Sequence, residues 1–156
     1  MQRKSFLQLL GLGMLPLSGF AATEAAARVR HIQVPPYLKP GDTIGIACPS
    51  GFSMSETIQP AVDLIQSWGY VVKIGATVGK RDFTFGGTDE ERAADFQAMI
   101  DDPQVKAILC ATGGYGAGRI IDRLNFHAFR KHPKWVIGFS DITVFHSHLH
   151  QVCRVA

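Results

Sequence analysis

The chain has 156 residues, room for one domain with a real core and too little for two ordinary ones. At 46% hydrophobic and 19% charged it is composed like a globular protein, not like a disordered, collagenous or coiled-coil chain. The formal charge is +3; beyond residue 22 it falls to 14 basic against 13 acidic residues, so a basic nucleic-acid footprint has no support.

The first 22 residues read as a signal peptide. Gln2-Arg3-Lys4 is a short positive start, Phe6 to Leu17 is mostly apolar, and Ser18-Gly19-Phe20-Ala21-Ala22 offers small residues for cleavage after Ala21 or Ala22. A membrane anchor is the competing reading, disfavoured because the run is short and carries Gly11, Gly13 and Pro16. The expected location is therefore exported and periplasmic. Arg3-Lys4-Ser5-Phe6-Leu7-Gln8 resembles a twin-arginine signal with Lys in the second arginine's place.

Residues 23–42 form a lead-in. Its first part is Ala-rich, and Pro35, Pro36 and Pro40 make the rest extended. Thr43 to Cys48 then reads as a buried strand ended by the turn Pro49-Ser50-Gly51. Ile58, Ala61, Val62 and Ile65 recur at helical spacing. Pro60 belongs in a first turn, which predicts a helix from about Thr57 to the stop at Gly69. Tyr70 to Ile74 is a second strand, and Gly75 to Gly87 a loop.

Thr88-Asp89-Glu90-Glu91 has the spacing of a capping box, so Asp89, Glu90 and Glu91 are read as a helix start and not as a catalytic cluster. Ala93, Phe96 and Ile100 form that helix's apolar face, and Asp101-Asp102-Pro103 ends it. Val105 to Ala111 is an apolar run suited to a strand covered on both faces. Thr112 to Gly118 is a glycine-rich loop, Arg119 to Leu124 begins a helix, and Trp135 to Phe139 is a fourth strand. From Thr143 a last helix is predicted to run to the chain end.

This alternation predicts an α/β fold, a parallel sheet with helices on both faces and ligands at the carboxyl ends of the strands. Three loops meet that edge: Pro49-Ser50-Gly51, Gly113 to Gly118, and Gly138 to Thr143. In Gly138-Phe139-Ser140-Asp141 a serine directly follows an apolar strand and precedes a helix. A tight turn there would lift the Ser140 hydroxyl over the sheet edge and aim the Asp141 N–H at a nascent oxyanion. The plainer alternative is that Ser140 or Asp141 caps the last helix, and spacing leaves the two open.

The glycine loop could cradle an anion in backbone N–H groups, or simply make a tight turn. Gly114, Gly116 and Arg119 do not form a dinucleotide fingerprint, so no nucleotide cofactor is expected. His146, His148 and His150 lack a carboxylate in register and read as surface or packing residues, with no metal expected. Cys48, Cys110 and Cys153 are an odd count; Cys48 and Cys110 sit in strand-like runs and read as core residues.

Four ordered segments resemble the LD-carboxypeptidase family of serine peptidases: Pro35 to Ile46 with Pro49-Ser50-Gly51; Phe85-Gly86-Gly87-Thr88-Asp89-Glu90-Glu91-Arg92 with Asp95; Gly113-Gly114-Tyr115-Gly116; and Val136 to Thr143. The resemblance covers residues 34–152. It implies a flavodoxin-like N-terminal domain over residues 43–156, truncated at its end, and removal of the terminal D-alanine from peptidoglycan tetrapeptides. Relatives in the family include self-immunity peptidases acting on peptide-nucleotide antibiotics. Ser140 holds the nucleophile's position, the N–H groups of Asp141 and Gly114 those of the oxyanion donors, and Gly113, Tyr115 and Gly116 line the substrate. No organic cofactor, metal or stable membrane anchor is implied, and a homodimer is left open.

Two departures stand out. Thr112 replaces the Arg that precedes Gly-Gly-Tyr-Gly in many relatives. The family's Glu and His come from a C-terminal domain, and no histidine of this chain matches that base. The chain by itself is therefore expected to be an inactive N-terminal part. The rival from another class is a non-catalytic muropeptide- or anion-binding domain.

Overall fold

A computed structural model describes residues 32–156. The proposed signal peptide and residues 23–31 of the lead-in lie outside the described residues.

The sheet is built from β1 (Thr43–Ala47), β2 (Val71–Ile74), β3 (Val105–Cys110) and β4 (Trp135–Ile137). All pairings are parallel and the strand order is β2-β1-β3-β4, the arrangement of a flavodoxin-like sheet. Strand residues alternate between two cores. Ile44, Ile46 and Ala107 point towards α1 (Ser55–Ser67), where Ile58, Val62 and Ile65 meet them. Burying those three side chains stabilises the layer by roughly 1.5–3 kcal/mol each. Ala47, Val105, Ile108 and Cys110 face the opposite core.

That second layer holds α2 (Asp89–Asp101), α3 (Ala117–Ile120), α4 (His127–Lys131) and α5 (Thr143–His148). Phe96 of α2 stacks on Phe145 of α5 with ring centroids 4.5 Å apart. The capping box opens α2 as expected: the Thr88 side chain accepts from the Glu91 N–H, and the Glu91 carboxylate accepts from the Thr88 N–H. Cys48, Cys110 and Cys153 are unpaired and buried; burial pushes the Cys48 thiol up to about 11 and raises Cys110 further.

Two local expectations need correction, and one helix had no counterpart in the sequence reading. α1 starts at Ser55, so Pro60 is its sixth residue and not in its first turn. Pro60 is exposed and forgoes only one intrahelical hydrogen bond, which the apolar face offsets. The segment 127–131 forms a helix although only Phe129 is apolar enough to mark it. The last helix does not reach the chain end. It loosens into a wider turn at Leu149–Cys153, and Arg154 at φ +59° turns the backbone back. Gln33 then hydrogen-bonds across to Arg154 and Ala156. No helix among the described residues is long and apolar enough to cross a membrane.

Candidate active site

Ser140 stands one turn beyond the carboxyl end of β4. Phe139 is extended, Ser140 is left-handed at φ +59°, and a tight helical turn over Ser140–Ile142 leads into α5. A left-handed non-glycine residue is strained, and such strain persists only where surrounding structure holds it. Here Gly138 packs against Ile142 with no space for a Cβ, and the Thr143 hydroxyl donates to the Ser140 carbonyl at 2.7 Å. Ser140 itself is exposed.

The capping alternative fails on geometry. Neither Ser140 nor Asp141 makes a side-chain cap on the turn or on α5. The Asp141 carboxylate instead reaches across the site. Its Oδ2 accepts from the Ser50 hydroxyl at 2.6 Å and from the Ala117 N–H at 2.8 Å. One side chain thereby ties the elbow to the first loop and to the end of the glycine loop.

Glycine is required where these loops touch. A Cβ on Gly113 would lie 2.9 Å from both the Phe139 carbonyl oxygen and the Ser140 Cβ. Gly51 donates its N–H to the Gly113 carbonyl at 3.0 Å, and a Cβ there would meet that oxygen at 2.7 Å. Gly114 and Gly116 have φ of +116° and +123°, which only glycine adopts without strain. Among the described residues the N–H groups of Gly114 and Asp141 donate to no backbone acceptor, so both remain open to an incoming oxygen.

A buried cation supports this assembly from below. Arg92 is fully buried; its Nη1 donates to the Pro49 carbonyl at 2.6 Å and to the Gly116 carbonyl at 3.0 Å. Its Nη2 pairs with Asp89, which also pairs with Arg119 at 2.8 Å. The Arg119 hydrogen bond, with the positive charges of Arg119 and Arg92, holds the Asp89 carboxyl below its usual range. Phe85 lies under the guanidinium of Arg92 and beside the exposed ring of Tyr115, 6.1 Å between centroids.

The sequence-predicted residues Gly113, Gly114, Tyr115, Gly116, Ser140 and Asp141 thus share one edge. Ser50, Arg92 and the Asp141 side chain were missed as its supports. The signal for Arg92 was its place on the apolar face of α2, in step with Asp95, Phe96 and Met99. Asp95, also buried, fastens the loop after β2 by accepting from the N–H groups of Ala76 and Thr77. The histidines go elsewhere: His146 Nε2 lies 3.1 Å from the Val136 carbonyl, and the His148 ring lies tilted against Phe126 with centroids 4.9 Å apart.

Residues 44–156 match the family profile described as the LD-carboxypeptidase N-terminal domain. The chain belongs to the LD-carboxypeptidase family. It is 39% identical over 117 residues to a protein of Bacillus subtilis named "probable murein peptide carboxypeptidase", covering 75% of this chain and 37% of that one. The structure of the microcin C7 self-immunity protein MccF with aspartyl sulfamoyl adenosine superposes with a TM-score of 0.70 at 29% identity, over 76% of this chain and 36% of that one. A muramoyltetrapeptide carboxypeptidase from Oxalobacter formigenes gives a TM-score of 0.62 at 31% identity, over 69% and 36%. The chain spans little more than a third of the length of these relatives.

Proposed function

We propose that this chain is the nucleophile-bearing part of a serine-type LD-carboxypeptidase that removes the terminal D-alanine from peptidoglycan tetrapeptides in the periplasm. The reading is supported above all by the strained Ser140 elbow lying against the glycine loop, with the free N–H groups of Asp141 and Gly114 nearby. Ser140 Oγ attacks the carbonyl of the L-to-D amide. The two N–H groups stabilise the oxyanion, and Tyr115 with Gly113 and Gly116 shapes the substrate's seat.

A serine hydroxyl needs a base. Among the described residues no imidazole hydrogen-bonds Ser140, and on this reading the base and its orienting acid are supplied from outside residues 32–156. D-alanine release from a purified tetrapeptide tests the reading. The protein expressed from its uninterrupted reading frame releases D-alanine, Ser140→Ala abolishes release, and the 156-residue chain alone releases none. Release that survives Ser140→Ala would overturn the assignment. Likeness to MccF supports a second reading within the family, hydrolysis of an amide in a peptide-nucleotide conjugate; turnover of such a conjugate but not of the tetrapeptide would favour it.

A further inference from the structure

One sizeable hollow of the described structure is not at the Ser140 edge. It lies at the opposite edge of the sheet, against Asp42 before β1, Val105 at the start of β3 and Lys134 before β4. Its volume is about 740 Å³, against about 310 Å³ for the hollow beside Phe139.

Its charge is one-sided. Lys39, Lys106, Lys131, His132 and Lys134 line it, against the single carboxylate of Asp42. Among the described residues none of these five forms an ion pair, whereas Lys73, Lys80, Arg92, Arg119 and Arg123 all do. The neighbouring carboxylate of Asp102 is already held by Lys73 at 2.6 Å. Cations gathered without counter-charge repel one another and raise the local anion concentration.

Lys134 is the innermost of them, only 4% exposed. Its Nζ donates to the Met99 carbonyl at 3.0 Å and the Asp102 carbonyl at 2.6 Å. An ammonium has three donors, so one remains. Burial holds this amine down to about 8; the nearby charges of Asp102 and Asp101 oppose that shift, and those of Lys106 and Lys73 add to it. One wall is aromatic: Tyr37 is 83% exposed yet fixed by stacking on Trp135, 6.3 Å away.

We propose that this hollow is a second ligand site, built for a small organic phosphate ester with an apolar or aromatic body. Lysines are point charges that suit the spread oxygens of a phosphate, and several of them suit a dianion better than a single carboxylate. Tyr37 and the proline-lined walls take the apolar part. The site is separate from the Ser140 edge and does not depend on catalysis there.

The test is a titration of the full 156-residue chain with phenyl phosphate at low salt, read by Trp135 fluorescence in a Trp68→Phe background. Saturable binding about tenfold tighter than that of inorganic phosphate is expected. Lys106→Gln with Lys131→Gln weakens it about tenfold, as expected for removal of two cations. Both lysines are exposed, so the double variant keeps the parent's melting curve. Ser140→Ala leaves the affinity unchanged. Absence of saturation, indifference to the double lysine variant, or loss of binding in Ser140→Ala each overturns the proposal. Co-sedimentation with phosphatidic acid vesicles without binding of phenyl phosphate would identify a lipid headgroup as the source and also overturn the soluble-ligand site.

Discussion

Replacing Asp141 by Ala removes the one side chain that joins three loops at the sheet edge. The Ser50 hydroxyl and the Ala117 N–H then lose their acceptor, and both residues are fully buried, so water cannot easily replace it. A hydrogen bond to a charged group contributes about 1.5–3 kcal/mol, so losing two costs about 3–6 kcal/mol. For a domain of this size each kcal/mol corresponds to roughly 3 °C, which predicts a fall in Tm of about 10 °C or more. Asp141→Asn keeps the shape and one accepting oxygen and is expected to lose about half as much. Thermal unfolding by circular dichroism measures the shift, and hydrogen exchange locates it. The Ala117 amide should exchange faster in the Ala variant beyond what the global loss explains. An Ala variant melting within about 2 °C of the parent would refute the argument, leaving the Gly51 N–H to Gly113 carbonyl bond as the sufficient tie.

Gly113→Ala puts a methyl 2.9 Å from the Phe139 oxygen and the Ser140 Cβ; it should cost about 1–3 kcal/mol in chemical denaturation and displace the elbow in a crystal structure. Arg92→Met strips the Pro49 and Gly116 carbonyls of their donor and should lower the urea midpoint by about 2 M, from a cost of about 3–5 kcal/mol. The Asp89 pKa is lowered in the fold, so its contribution is present above the ordinary carboxylate range and lost as pH falls through the folded value; the urea midpoint should drop on acidification, less steeply in Asp89→Asn. Lys134 is lowered to about 8 from 10.5, so above pH 8 the unfolded chain binds the extra proton and stability rises with pH. Cys48, raised to about 11 from 9.0, works in the opposite direction above pH 9, so the rise should be clearest between about pH 8 and 9 and absent in Lys134→Met.

What the sequence disclosed, and what it withheld, divides by the range of the interaction. The capping box is a contact between residues three apart, and Thr88 with Glu91 announces it. The apolar run of β3 suited a strand buried on both sides, and the alternation of strand and helix signals pointed to the parallel sheet. α4 was silent because a five-residue helix with one buried side chain has too few turns to show a period. Its stability comes from Phe129 packing into the core, which is a tertiary fact.

The site divides the same way. The strand-serine-helix order pointed to Ser140, but its left-handed backbone depends on Gly113 and on Ile142 packed beneath Gly138. Arg92 falls in step with the buried face of α2, but only the fold brings the Pro49 and Gly116 carbonyls onto it. The ambiguity between cap and nucleophile had a third answer that spacing could not offer. Asp141 does cap a helix, but it is α3, 24 residues earlier, and it holds Ser50 from 91 residues away. The same residue therefore offers its N–H beside Ser140 and fixes the loop that carries the Gly114 N–H. A displacement of the elbow should carry the glycine loop with it, keeping the two donors and the hydroxyl in one rigid frame.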